Sequence, residues 1–252
     1  MNSEFKLCAV IPVYKHGYVI KETIQKILSY NVPIIVIDDG NTEPDKTLIK
    51  NAVKDFPGVD LISLPKNQGK GWAVIKGLSR AKELGYTHAF QIDADGQHDL
   101  SSIPFFEKAA RKKPKNVIAG FPTYNETVPK SREQGRKITN FWVMIETLSL
   151  DILDSMCGFR IYPIQLVSSI LDKKFIDFRM GFDIEILVRL HWKGAKFNFY
   201  PIKVDYPENA VSNFNVIHDN IKISKTHTCL FFGMLFRLPK ILSHKIKRQS
   251  KK

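Results

Sequence analysis

Between Phe90 and Leu100 the chain reads FQIDADGQHDL, an apolar strand-like start that runs out into Asp93, Asp95, Gln97, His98 and Asp99 around Gly96. Two carboxylates at i and i+2 beyond an extended strand project side by side. Like charges that close repel, and a hard divalent cation taking oxygen ligands neutralises them. Mg²⁺ or Mn²⁺ keeps positions open for water and phosphate oxygens, so such a pair forms a pyrophosphate clamp. The pattern is short, and it also describes a polar turn in which Asp99 or Ser101 caps the next helix.

Two further segments set polar groups against apolar runs. PIIVIDDG, residues 33–40, delivers Asp38 and Asp39, whose carboxylates suit hydrogen bonds from a base or ribose, as acidic residues do in other nucleotide folds. Asn67-Gln68-Gly69-Lys70-Gly71 joins backbone freedom, a cation and a helix start, a combination suited to an anion. It is not a GxxxxGKS/T loop, and no GxGxxG follows the first strand-like run. Nucleoside-triphosphatase and dinucleotide-dehydrogenase readings lose their main support. The histidines share no metal-ligand spacing. His191 and His227 read as structural, and Trp72, Trp142 and Trp192 as core or interface side chains.

The elements that must position these residues alternate strand and helix. KLCAVIPVY (6–14), PIIVIDDG (33–40), VDLISLP (59–65), THAFQIDADG (87–96) and NVIAGFP (116–122) are near-continuously apolar, as strands buried on both faces are. Between them VIKETIQKILSY, DKTLIKNAVKDF, GWAVIKGLSRAKELG and SSIPFFEKAARKK carry apolar residues at helical spacing, with Ala73, Gly77, Ala81 and Leu84 on one face of the third. The alternation predicts one α/β domain with a mostly parallel, doubly wound sheet. Ligands of such sheets sit at the carboxyl ends of the strands. Pro12 and Tyr14, Asp38 and Asp39, the 67–71 loop, and Asp93 and Asp95 then fall on one edge. Downstream, REQGRKITNFWVMIETLSL and GFDIEILVRLHWKG read as helices, the second stopped by Gly194. DSMCGFRIYP reads as a loop into a short element, and AKFNFYPIKVDYP as a strand.

A chain of 252 residues, 44% hydrophobic, buries one substantial core. Cys8, Cys157 and Cys229 lack CxxC or metal-ligand spacing, which argues against a disulfide framework or zinc site and for a cytosolic protein. The first residues lead straight into a strand pattern, so no signal peptide is expected. Net charge is +13, and nine of the basic residues follow Asp219 with no acidic one among them. Residues 1–220 form the expected catalytic body and 221–252 a helical, basic tail. In that tail CLFFGMLF falls far short of the ~20 apolar residues that span a bilayer. The segment CLFFGMLFRLPKIL is expected to lie in a membrane interface, with Lys240, Lys245, Lys247, Arg248, Lys251 and Lys252 at anionic head groups. A cationic arm also attracts nucleic acid, but RNP, zinc-finger and helix-turn-helix signals are missing, and no nucleic-acid partner is expected.

In order along the chain, IPVY (11–14), VIDDG (36–40), NQGKG (67–71), DADGQH (93–98) and DSMCGFR (154–160) resemble the motifs of glycosyltransferase family 2. The likeness is to its polyprenyl-phosphate, dolichyl-phosphate-mannose synthase-like branch. It implies the GT-A fold, a Rossmann-like and mostly parallel sheet flanked by helices, with inversion in a single displacement from a nucleoside diphosphate sugar. It implies that Asp38 and Asp39 contact base and ribose, that Asp93 lies near the ribose, and that Asp95 and Gln97 hold the metal. Pro12, Tyr14, Lys70 and Ala94 join the nucleotide-sugar site, and Arg160 faces phosphates or acceptor. Lys15-His16 stand where the family carries Asn-Glu, Asn41 where it carries Ser, and Asn213 where phosphate-accepting relatives carry a cation.

The chemistry fits these residues independently. A leaving nucleoside diphosphate develops charge that a divalent cation (Mg²⁺ or Mn²⁺) and Lys or Arg stabilise. A hydroxyl acceptor needs a general base, for which Asp183, Glu185 and Asp154 are candidates; a phosphate acceptor is already ionised and needs none. The expected protein is a metal-dependent, inverting glycosyltransferase using a lipid-associated acceptor, peripheral on the cytoplasmic face of an anionic membrane. A soluble saccharide acceptor, a basic nucleic-acid-binding protein and a non-catalytic nucleotide-binding protein are the alternatives.

Overall fold

The computed structural model describes residues 4–124, 130–172, 174–205 and 216–249. Its first half repeats one move, a Val/Ile-rich strand followed by an amphipathic helix that returns over the sheet. β1 (Leu7–Val13), β2 (Ile34–Asp38) and β4 (His88–Gln91) are buried at every position, which explains the apolar runs of β1 and β2; Asp38, His88 and Gln91 are the buried polar exceptions. With β3 (Asp60–Ser63) they pair in parallel in the order β3-β2-β1-β4. α1 (Ile20–Leu28), α2 (Asp45–Lys54) and α4 (Ile103–Lys112) bury their apolar stripes in the core on one face of the sheet. α3 (Lys70–Glu83) packs on the other face through Ala73, Gly77 and Ala81. Leu84 falls just past the end of that helix and is 46% exposed, unlike the rest of its expected face.

β4 stops at Gln91, short of the expected 87–96, because the backbone leaves the ladder after Ile92 donates to Val10 O. Val10 faces β4, so Pro12, two residues on, faces the same way beyond the end of that ladder. Its missing N–H costs no strand bond.

The second half is mixed. β5 (Val117–Tyr124), β6 (Arg160–Pro163) and β7 (Phe197–Val204) extend the sheet to β3-β2-β1-β4-β6-β5-β7. β6 runs antiparallel to β4 and β5, while β7 is parallel to β5. α5 (Lys130–Thr147) leads to the 154–159 loop at the carboxyl edge, so β6 starts there and can only run back down. α6 (Ile164–Leu171), which the sequence pattern did not announce, precedes α7 (Phe182–Trp192), and Gly194 follows α7 at φ +86.

α8 (Val216–Gln249) supplies the helix expected of the tail and packs it on the body. The 220/221 boundary falls inside this helix. Ile223, Leu230, Met234 and Ile241 are buried in the core that also holds α7 side chains, and Trp142 of α5 meets Phe231 edge-on. His227 and Glu146 of α5 form a buried pair at 2.7 Å, and His191 lies 3.3 Å from Asp151, so both histidines are structural. The opposite side of α8 leaves Ile221, Phe232, Leu235, Phe236 and Leu242 exposed. Among the described residues no helix is long and apolar enough to cross a membrane. Asn213, Lys251 and Lys252 lie outside the described residues.

Candidate active site

The ends of β1, β2 and β4 and the start of α3 converge on the carboxyl edge, as the doubly wound topology requires. Asn41 locks β1 to β2. Its Nδ2 donates to Val13 O (2.9 Å) and Asp38 Oδ1 (2.7 Å), and its Oδ1 accepts from Lys15 N (2.7 Å). Tyr14 stands half-buried beside this lock, and Asp38 is only 1% exposed.

Asp39 is buried and fully engaged. Its Oδ1 accepts from Gln68 N (2.8 Å), and its Oδ2 from Gly69 N (2.9 Å) and Asn67 Nδ2 (2.8 Å). Burial pushes its carboxyl above the usual range, against the opposing pull of the two amides and Arg179. The anion that the NQGKG loop cradles is therefore the protein's own Asp39, a correction to the expectation of a free anion site. Gly69 sits at φ +100, and a Cβ there would lie 2.4 Å from Phe178 O, so no other residue fits this turn.

Lys70, first in α3, reaches Asp93 Oδ2 at 2.8 Å and Asp183 Oδ2 at 2.7 Å. Burial lowers its ammonium, but Asp183 and Asp93 outweigh this and hold it above the ordinary lysine range. Asp183, at the start of α7, also accepts from Gln91 Nε2 at 3.1 Å and lies 3.5 Å from Arg160 Nη1. Burial would raise its carboxyl; Lys70 and then Arg160 hold it below the usual carboxylate range. Asp93 lies against the backbone of Gly158, and its Oδ1 is buried with no hydrogen-bond partner among the described residues.

Asp95 lies past the strand end, in the turn that follows Asp93. Its Oδ1 accepts from Gln97 N at 3.1 Å. Gln97 O in turn accepts from Asp205 N, and Asp99 caps the following turn through Ser101 N. Ala94 is buried. His98 Nε2 lies 3.6 Å from Cys157 Sγ. Burial lowers its imidazole, but Cys157, Asp93 and Asp95 carry it up to about 9. Among the described residues no group of three or more His, Cys, Asp or Glu is placed to hold a metal. Mg²⁺-type ions are usually held by one or two carboxylates plus substrate phosphates. Asp95 with the unpartnered Asp93 Oδ1 fits that smaller donor set.

Three expected site residues have other work. Arg160 is fully buried and donates to Asp183 O (2.8 Å), Ser155 O (2.8 Å) and Tyr162 Oη (3.2 Å), so it braces the site from below and faces neither phosphate nor acceptor. Glu185 is fully buried and holds Ile176 N at 2.8 Å, Asp177 N and Arg189, fixing the loop before α7. Asp154 accepts both oxygens' worth of bonds from Arg136 (2.7 and 2.6 Å) and takes Met156 N and Cys157 N as well. Pro12 is buried within β1 and shapes the strand end. Gln91, Tyr162 and Arg136 were missed by motif reasoning, and Asn41 was marked only as a departure from the family pattern. Gln91 did leave a signal, a polar side chain inside an otherwise buried strand.

The fold matches that of solved glycosyltransferases. Glucosyl-3-phosphoglycerate synthase from Mycobacterium tuberculosis superposes with a TM-score of 0.61 at 16% identity, over 93% of this chain and 80% of that one. A mannosyltransferase from Pyrobaculum calidifontis gives 0.56 at 11% identity, over 99% and 77%. The fold is that of a GT-A glycosyltransferase. Residues 8–171 match Glycosyl transferase family 2, and the chain belongs to that family. An uncharacterized protein of Methanocaldococcus jannaschii is 30% identical over 82% of this chain and 91% of its own length. Dolichyl-phosphate beta-glucosyltransferase of Dictyostelium discoideum is 26% identical over 89% and 70%, respectively.

Proposed function

We propose that this glycosyltransferase moves a sugar, with inversion, from a nucleoside diphosphate sugar to a polyprenyl phosphate or similar lipid-linked acceptor at the cytoplasmic face of a membrane. The observation that carries the acceptor class is the state of the three candidate bases. Glu185 is sealed in the core, Asp154 is clamped by Arg136, and Asp183 has both oxygens engaged, by Gln91 and by Lys70, with its carboxyl held below the usual range and so weakly basic. None is poised to take a proton from a hydroxyl. An acceptor phosphate is ionised near neutrality and attacks without one. The relatives named for dolichyl phosphate support the same class.

Asp95 and Gln97, with Asp93 Oδ1 alongside, are the residues that would hold a divalent cation, which when bound neutralises charge on the leaving diphosphate. The chain's own part is positional. Asn41 and Asp39 fix the β1, β2 and α3 ends that form the nucleotide floor, and Asp38 offers the carboxylate oxygen not taken by Asn41. Lys70 places a fixed positive charge beside Asp93, where charge develops on the leaving group.

Transfer assays with a panel of nucleoside diphosphate sugars and Mn²⁺ test this reading, comparing polyprenyl phosphate with the free polyprenol. Only the phosphate is expected to accept, and Asp95→Asn is expected to lower turnover about 100-fold with the fold intact, as loss of a metal-site group does. Equal transfer to the polyprenol overturns the acceptor class. Parental turnover by Asp95→Asn, or in excess chelator, overturns the metal clamp.

A further inference from the structure

A cavity of about 700 Å³ lies between α6, α7 and α8, lined by residues other than those of the carboxyl-edge site. Its floor is apolar, formed by Ile170, Trp192 and Leu230, all at most 8% exposed. Its walls carry Arg189, Lys193, Arg237 and Lys240, and among the described residues no acidic one lines it. Two of these cations already have work. Arg189 is paired with Glu185, and Arg237 lies 4.9 Å over the Trp192 ring while donating to Gly233 O. Lys193 and Lys240 are exposed and have no carboxylate partner among the described residues. At the mouth stands Phe236, 85% exposed, on the same helix as the exposed Phe232, Leu235 and Leu242.

We propose that this cavity binds the phosphate head group of an anionic membrane phospholipid, with the lipid's apolar part running out along Phe236. The cations match the phosphate, the apolar floor and mouth match the chain, and a soluble phosphate would leave Phe236 and the floor unused. The outward stripe of α8 continues the apolar path from the mouth, which favours a lipid in a bilayer over any soluble anion. Occupancy also reaches the catalytic edge. Ile176 lines the cavity and its N–H is held by Glu185, in the loop whose Phe178 O accepts from Gly71 N at the start of α3. A bound head group thus braces the loop that leads into Asp183.

The inference extends the membrane reading above but uses no step of sugar transfer, so its test reads lipid alone. The full chain is sedimented with neutral phosphatidylcholine vesicles and with vesicles containing phosphatidylglycerol, as parent, as Lys193→Gln/Lys240→Gln, and as Lys112→Gln/Lys113→Gln. The last pair removes equal charge from exposed positions at the end of α4, on the other side of the sheet. Binding to the anionic vesicles is expected to weaken roughly 30-fold for the cavity pair, from about fivefold per lysine, and less than threefold for the control pair. Equal losses, or none, overturn the site in favour of a diffuse cationic surface or no surface at all. Equal sedimentation of the parent with the neutral and the anionic vesicles overturns the anionic lipid as occupant.

Discussion

Asp183 is the residue on which the two halves of the site meet. It sits at the start of α7, where a carboxylate suits the helix dipole, yet its bonds run to Lys70 of α3, Gln91 of β4 and Arg160 of β6. Replacing it with Asn leaves Lys70 half-paired and Arg160 buried against a neutral group. A loss of about 3 kcal/mol is expected, the usual scale for breaking a buried pair from one side. The pH dependence has a definite sign. Asp183 ionises below its ordinary range in the fold and near about 3.9 when unfolded, so its contribution is complete above about pH 4 and is lost as pH falls through the lower folded value. Denaturant titrations from pH 7 to pH 2.5 check this: the difference between parent and Asp183→Asn should narrow on the acid side. A constant difference would mean that the carboxylate's charge is not what the network uses. At this scale the sequence was half legible. Asp-x-Asp and Asp-Asp marked the right edge, because strand ends in a parallel sheet converge. What each carboxylate bonds depends on partners such as Arg136 and Asn67, whose distance in space has no trace in local spacing.

The elements show where periodicity works and where it fails. β1, β2 and α3 were legible because burial on both faces, or on one helical stripe, writes itself directly into residue type. β6 was read only as a short element after a loop, since four residues entering antiparallel between β4 and β5 carry no period that would give their type or direction. The junction of α3 with the start of α7 was equally hidden, although it sets the site. A Cβ on Gly71 would lie 2.4 Å from Phe182 Cγ, so the helix start rests directly on the aromatic ring. Gly71→Val is expected to push α3 off α7 and to cost about 3 kcal/mol, at the upper end of overpacking effects. The same shift moves Lys70 away from Asp93 and Asp183, so donor binding should fall with stability. Unfolding midpoints and nucleotide-sugar thermal shifts measure both, and a variant that loses stability but keeps full donor affinity would separate this junction from the site.

At the scale of the whole molecule, α8 is both a core element and an outer surface, and that duality changes how membrane attachment must be tested. Deleting the helix strips Ile223, Leu230, Met234 and Ile241 from the core and uncovers the faces of α5 and α7, so a shortened chain reports on folding before it reports on lipid. The sequence pattern put CLFFGMLF in a membrane interface, because a run apolar on all sides does not show which side chains a core would take. The fold divides it, with Leu230 and Met234 inward and Phe232, Leu235 and Phe236 outward. The sharper experiment is the triple variant Phe232→Ser/Leu235→Ser/Phe236→Ser in the full chain. Exposed positions away from special contacts usually change stability by no more than about 0.5 kcal/mol each, so the unfolding midpoint should barely move. A fully buried Phe or Leu contributes about 1.5–3 kcal/mol, and an interfacial helix inserts such side chains only in part. Losing three of them is therefore expected to weaken vesicle binding about 100-fold at fixed salt, close to 2.7 kcal/mol. Unlike the loss from removing lysines, this one should persist in high salt, because apolar insertion is not screened. Parental sedimentation by a well-folded triple variant would mean that the outward stripe of α8 does not enter the membrane, and would leave any attachment to charge alone.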